Sequence, residues 1–202
     1  MRYTAIVDYN VGNLSSICHA LEYIGVQTQI TAEEAVLERA EGIILPGVGA
    51  FPDAWTELEQ RGLPAVLRRQ AEHKPVLGIC LGMQLLMSGS TEVRPCRGLH
   101  FVPGTVDRIK TDLKLPHIGW NTLHLKTPTP LFAGLDEGAY VYFVHTYCAT
   151  AELESDVYAV TDYGGPVTAA VGRGNVYGTQ FHPEKSGDVG LEILKNFVRL
   201  QG

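Results

Sequence analysis

Apolar residues fall into short continuous runs in the first half of the chain and into alternating stretches in the second. Tyr3 to Asp8, Val26 to Ile30, Gly42 to Leu45 and Val76 to Ile79 have the length and character of buried strands. Between the first two, Leu14, Ile17, Cys18, Leu21 and Ile24 recur at helical spacing, with Asn13 placed to cap that helix and Gly25 to end it. Further helical stretches are expected over Glu33 to Ala40, Ala54 to Gln60, Pro64 to Glu72 and Leu81 to Met87. Such βαβα alternation predicts a mainly parallel sheet covered by helices on both faces, with functional residues at the carboxyl ends of its strands.

After Ser88-Gly89-Ser90-Thr91-Glu92 the pattern changes. Phe101 to Ile109, Trp120 to Leu125, Tyr140 to Cys148, Val157 to Thr161, Thr168 to Val171 and Val176 to Gln180 read as strands. Their short spacing, with Gly and Asp turns, suggests antiparallel hairpins. Asp188 to Leu200 closes the chain as an amphipathic helix. The fold class expected is therefore α/β, a mostly parallel central sheet flanked by helices with an additional antiparallel sheet region. No repeat, low-complexity tract or linker interrupts it, so residues 1–202 read as one domain.

Composition narrows the function mainly by exclusion. A formal charge of −6 and the absence of any lysine–arginine cluster argue against a nucleic-acid surface. Met1 runs straight into the first strand and no apolar stretch approaches the roughly 18–20 residues of a membrane span, so neither a leader nor an anchor is expected and the protein reads as cytoplasmic. The four cysteines lack C-x-x-C spacing and the seven histidines lack H-x-x-x-H spacing, so no disulfide framework, metal or cofactor is expected.

The chemistry gathers at Cys80. It follows the apolar run Val76 to Ile79, has Gly78 two residues before it and Gly82 two after it, and opens a helix. Strand, sharp turn and helix with the reactive side chain at the apex is a nucleophile elbow, here with sulfur. A Cβ at either glycine would press against neighbouring backbone. The free N–H groups of the helix start favour a thiolate, and the Leu81 N–H points toward an oxyanion formed at the attacked carbon. A buried, inert cysteine is the common alternative; the double-glycine frame weighs against it.

Thiol catalysis needs a base and a group that orients it. His182 and Glu184 follow the strand-like Val176 to Gln180, and residues two apart in an extended chain face the same side. A Cys80–His182–Glu184 triad follows. Pro46-Gly47-Val48-Gly49-Ala50-Phe51, directly after the third strand, lacks the third glycine of a dinucleotide loop because Pro52 stands there. It reads either as a backbone segment that aims an N–H at a reacting carbonyl or as a plain connecting turn.

Gly78-Ile79-Cys80-Leu81-Gly82-Met83-Gln84 together with His182-Pro183-Glu184 resembles the class-I (triad) glutamine amidotransferases. Pro46-Gly47-Val48-Gly49, Pro116-His117-Ile118-Gly119-Trp120-Asn121, Tyr142-Phe143-Val144-His145-Thr146-Tyr147 and His182-Pro183-Glu184-Lys185-Ser186 are similar, within that family, to the glutaminase subunits of imidazole glycerol phosphate synthases. The resemblance runs from end to end. It implies a flavodoxin-like α/β fold, glutamine hydrolysis through a thioester on Cys80, and an oxyanion hole from Leu81 with Val48 or Gly49. It also implies a glutamine pocket holding Gln84 and Glu92, with Thr146 and Tyr147 as further members. Finally it implies a (β/α)₈-barrel cyclase partner that receives ammonia, met by Asn13, Trp120, Tyr142 and Lys185.

Other readings stay open for single residues: Gln84 facing inward from its helix, Glu92 as a surface acid, Trp120 as a core tryptophan. Asn10 and Thr91 depart from the family pattern, which often has glycine at the first position and commonly an acid at the second. For the whole chain, a glutaminase of another triad amidotransferase, a stand-alone cysteine hydrolase and a non-catalytic module on the same fold are the alternatives.

Overall fold

A computed structural model of the chain describes residues 2–202; Met1, where the leader reading begins, lies outside them. The first half delivers β1 (Thr4–Val7), α1 (Leu14–Tyr23), β2 (Thr28–Thr31), α2 (Glu34–Arg39), β3 (Gly42–Leu45), α3 (Phe51–Gln60), α4 (Leu63–Ala71), β4 (Val76–Ile79) and α5 (Leu81–Leu85). The second half is strand-rich: β5 (Met87–Ser90), β6 (Cys96–Arg97), β7 (Val102–Arg108), β8 (His117–Thr122), β9 (His124–Leu125), β10 (Tyr140–His145), β11 (Tyr147–Ala151), β12 (Val157–Asp162), β13 (Pro166–Arg173) and β14 (Val176–Thr179), closed by α6 (Gly187–Arg199).

Eight strands form one sheet in the order β2-β1-β3-β4-β14-β13-β12-β9, the first five mutually parallel and the rest antiparallel. Every residue of β1, β3 and β4 is buried, as strands covered on both faces require. Alternation along these strands divides the core in two. Ala5, Val7, Ile43, Leu45 and Val76 pack toward Trp55 and Leu58 of α3 and Leu67 of α4. Ile6, Ile44, Leu77 and Ile79 pack toward Ile17 and Leu21 of α1 and Ile193 and Phe197 of α6. A two-stranded sheet, β10-β8, lies with the second cluster; a four-stranded sheet, β11-β7-β5-β6, lies with the first.

Several sequence expectations are corrected by long-range pairing. The helix expected to Met87 stops at Leu85, because Met87–Ser90 is drawn into a strand parallel to β7. Tyr140 to Cys148 is two strands in two sheets, broken at Thr146: β10 pairs with β8 and β11 with β7. Trp120 to Leu125 likewise begins earlier, at His117, and changes partner at Leu123, from β10 to β12. Not all second-half pairing is antiparallel, since β14 lies parallel to β4. Asn13 precedes α1 but does not cap it through its side chain; its amide donates instead to Ser16 Oγ at 2.7 Å. Asn10 sits at φ 64°, the left-handed conformation that asparagine tolerates.

Candidate active site

The register of β4 and β14 builds the site. Thr179 lies beside Ile79, so Cys80 and Gln180 leave the sheet at the same edge, and the Cys80 N–H donates to Thr179 C=O at 2.7 Å. Cys80 holds φ 56° and ψ −112°, a conformation that costs a non-glycine residue about 1–3 kcal/mol. Its neighbours explain how that strain is sustained. A Cβ on Gly78 would lie 2.6 Å from Gly82 C=O, and one on Gly82 would lie 1.8 Å from Leu45 C=O. Strand, elbow and α5 are therefore packed backbone to backbone. With only five residues, α5 brings a small dipole; its contribution is the first-turn N–H groups, which have no intrahelical acceptor.

His182 and Glu184 do meet, although not as alternate residues of a strand. Pro183–Lys185 form a 3₁₀ turn, and that turn swings Glu184 back so that its Oε1 lies 2.8 Å from His182 Nδ1. Both side chains are sealed from solvent, at 2% and 1% exposed. Ser186 fixes the turn: its Oγ donates to His182 C=O at 2.6 Å and accepts from the Tyr142 N–H at 3.0 Å. The other ring nitrogen, Nε2, is buried with no hydrogen bond of ordinary geometry and faces the Cys80 sulfur. Burial alone would depress the imidazolium, but the Cys80 sulfur and then the Glu184 carboxylate outweigh it and raise the pKa to about 9. A ring held protonated at neutral pH is the counter-ion a thiolate requires.

Cys80 and His182 open onto a pocket of about 330 Å³ that is also lined by Val48, Gly49, Leu81, Gln84, Glu92, Thr146 and Tyr147. All the residues expected at the oxyanion hole and the substrate site thus converge on one cavity. Gly47 does not line it; that residue is wedged against the buried Tyr9, whose hydroxyl donates to Pro46 C=O and anchors the start of the loop. Glu92 has a second engagement, since its Oε2 accepts from the Phe51 N–H at 2.9 Å, at the first residue of α3. Thr91 points away, donating to Asp107 at 2.6 Å, so its departure from the family pattern leaves the pocket lining unchanged. Gln84 is buried, and its amide nitrogen donates to Tyr147 C=O at 3.0 Å and to Gln180 Oε1 at 2.9 Å.

Three polar residues to which sequence reasoning gave no role stand at or behind this pocket: His145 lines it, His117 contacts His145, and Gln180 contacts Gln84 and Cys80. His145 Nδ1 lies 2.8 Å from Tyr147 C=O, so that nitrogen carries the proton and Nε2 accepts. His117 Nδ1 then donates to His145 Nε2 at 3.1 Å, and His117 Nε2 accepts from the Asn121 amide at 3.3 Å. This chain of contacts is satisfied with both rings neutral. Their pKa values agree: burial pushes His145 down to about 4 and lowers His117 as well.

On the outer face of the β10-β8 sheet, Trp120 lies opposite Tyr142 with ring centroids 6.2 Å apart and edge to face, and the Lys185 ammonium stands 5.9 Å from the Tyr142 ring. Trp120 is 55% exposed and so is not a core tryptophan. Asn13, at the start of α1, is engaged with Ser16 and stands apart from this trio's contacts.

The glutamine amidotransferase class-I family matches residues 5–200 of the chain. The chain belongs to that family. Among its class-I relatives, imidazole glycerol phosphate synthase subunit HisH of Bacillus thuringiensis (strain Al Hakam) is 48% identical over 194 residues, which is 96% of this chain and 92% of the relative. Two solved structures are more distant. A glutamine amidotransferase is 20% identical and covers 98% of each chain with a TM-score of 0.78. PurLQS from Thermotoga maritima is 21% identical, also with a TM-score of 0.78, over 98% of this chain and 97% of that one. At those identities the two structures speak to the fold alone. The class-I fold and the buried thiol–imidazole–carboxylate set thus occur together in one chain. Such a set can attack an amide carbonyl, protonate the leaving nitrogen and then activate water.

Proposed function

We propose that this chain is the glutaminase subunit of an imidazole glycerol phosphate synthase, in histidine biosynthesis. In this reading residues 1–202 form one domain that works in the cytoplasm. It delivers ammonia to a cyclase subunit, itself a (β/α)₈ barrel, which forms imidazole glycerol phosphate and the aminoimidazole carboxamide ribonucleotide. The observation that carries the site assignment is the placement of His182, with one ring nitrogen on Glu184 at 2.8 Å and the other buried against Cys80.

The Cys80 thiolate attacks the side-chain carboxamide carbon of L-glutamine, forming a C–S bond and an oxyanion. The N–H of Leu81, with that of Val48 or Gly49, receives the oxyanion. As the C–N bond breaks, His182 gives its proton to nitrogen and ammonia leaves. His182 then takes a proton from water, which attacks the thioester and releases glutamate and the thiolate. Glu184 keeps the ring oriented throughout. Glu92 carries the charge suited to the substrate's α-ammonium, while Gln84, Thr146 and Tyr147 supply the remaining pocket wall. At neutral pH free ammonia becomes ammonium, which is no nucleophile, so the product needs a dry path to its acceptor. The exposed Trp120 and Lys185 with the half-buried Tyr142 between them, together with Asn13, form the surface assigned to the partner, an aromatic anchor of the kind that dominates interfaces.

The deciding measurement is glutamate release by the purified chain alone, with the cyclase, and with the cyclase and its ligand. Turnover is expected to be slow for the isolated chain and to rise several-fold in the liganded complex, because the exposed Val48–Gly49 segment must present its N–H correctly. Equal kcat in all three would refute the partner-dependent reading, and no glutamate in any of them would refute the glutaminase.

Glu184→Gln keeps the shape of the carboxylate but removes its charge. The His182 ring then loses one of the two groups that hold its pKa up, so its titration, followed by NMR, shifts to lower pH than about 9. A glutaminase rate lower by roughly 10²–10⁴-fold accompanies that shift, less than loss of the nucleophile costs. An unchanged ring titration would remove Glu184 from the triad.

A further inference from the structure

Gln180 is fully buried at the carboxyl end of β14, and its backbone N–H already donates to Ala169 C=O at 2.8 Å. Its side chain bridges Gln84 and Cys80: Oε1 accepts from Gln84 Nε2 at 2.9 Å, and Nε2 lies 3.8 Å from the Cys80 sulfur. Which way the amide faces follows by elimination. Tyr147 C=O can only accept, so Gln84 must turn its NH₂ toward it. That same NH₂ faces Gln180, which must answer with oxygen. The Gln180 NH₂ is then left to face sulfur.

We infer that Gln180 is a thiolate-stabilising residue of the Cys80 nucleophile, its side-chain N–H donating to the sulfur and favouring the charged, attacking form. The inference rests on the proposed thiol chemistry and adds a fourth side chain to it. A buried amide donor without an acceptor is costly, and among the described residues the sulfur is the partner that Gln180 Nε2 has. A thiolate accepts that N–H better than a thiol does. The contact also opposes a second one: Val144 C=O lies 3.9 Å from Sγ, where it can accept only from the protonated thiol. Gln84 is in turn a positioning residue, since the orientation of its amide dictates that of Gln180.

The titratable groups near the sulfur are His182 backed by Glu184, Tyr9 from the loop after β1, and His145 and Glu92 across the pocket. Gln180→Met adds no charge to this set, whereas Gln180→Glu adds a carboxylate beside the sulfur and is expected to move the midpoint further up. The test follows the rate of Cys80 alkylation by iodoacetamide against pH on the full chain, read by mass spectrometry of the Cys80 peptide, in the parent and in Gln180→Met and Gln180→Glu. Loss of the donor moves the midpoint up by about one pH unit, about tenfold slower alkylation on the acid side, with the high-pH plateau kept. A midpoint equal to the parent's in a folded Gln180→Met protein overturns the inference. Should both variants fail to fold, side-chain amide NMR of the parent decides it: the Gln180 NH₂ resonances must move with the Cys80 titration, and resonances that stay still overturn it. Alkylation requires no glutamine turnover, so a shifted midpoint in a chain that never hydrolyses glutamine would uphold this inference while the proposed function fell.

Discussion

Cys80→Ala is expected to lower glutamine hydrolysis by on the order of 10⁶ in kcat while leaving the chain folded. The substitution removes one sulfur atom. Its hydrogen-bond contacts are long, 3.8 Å to Gln180 and 3.9 Å to Val144, so the structural loss is confined to one buried amide donor left without its acceptor, about 1–3 kcal/mol. Backbone strain at φ 56° is the same for alanine as for cysteine. Under the proposed reading, the complex with the cyclase still makes product when an ammonium salt replaces glutamine. Glutamate release and cyclase turnover are therefore measured on the same preparation. Residual glutaminase activity of more than about 1% would mean that another group attacks the amide; loss of the ammonium-supported reaction would mean that the substitution had damaged the assembly.

Gly82→Ala is expected to do its harm by a different route, through stability first and rate second. Its Cβ would lie 1.8 Å from Leu45 C=O and 2.8 Å from the carbonyl carbon, backbone atoms that no rotamer change can move. Either α5, which opens at the elbow, or β3, which pairs with the elbow strand β4, must shift. Overpacking of this kind costs about 3 kcal/mol or more, which in a chain of this length lowers Tm by roughly 6–12 °C. Any protein that folds has its nucleophile displaced, and a shift of about 1 Å can cost about 10²-fold in rate. Gly138→Ala is the control: it has φ 80° but nothing within 4 Å of the added atom, and should lose only about 1 kcal/mol. Thermal melts of the two variants decide the matter. A loss at Gly82 no larger than that at Gly138 would contradict the close packing of elbow and sheet.

How much of this was legible in the chain depended on how local each cause was. Strands β3 and β4 match the sequence reading residue for residue, because a continuous apolar run between turn residues is its own evidence. The elbow was equally legible, since the steric need for glycine at 78 and 82 arises within a few residues of Cys80. Strand endings in the second half were not. Thr146 continues the alternation of its neighbours, and only the change of partner from β8 to β7 breaks the strand there. The meeting of His182 with Glu184 was anticipated for the wrong reason, as extended-chain alternation rather than a 3₁₀ turn. His117 and His145 were read only as parts of resembling segments and Gln180 only as a strand end, because the partners that give them a role lie 28 to 100 positions away.

Glu92 shows what one such distant contact entails. Alanine at position 50 gives α3 no side-chain cap, and a carboxylate 41 residues downstream of Phe51 fills that vacancy with one oxygen. The loop of Val48 and Gly49 runs directly into this helix end, so the same acid that faces the pocket also tethers the backbone on its far rim. Under the proposed reading, a substrate ammonium arriving there competes for the carboxylate that moors the helix. Occupancy and rim position become two readings of one carboxylate, and a change in either is felt by the other without any message crossing the protein core.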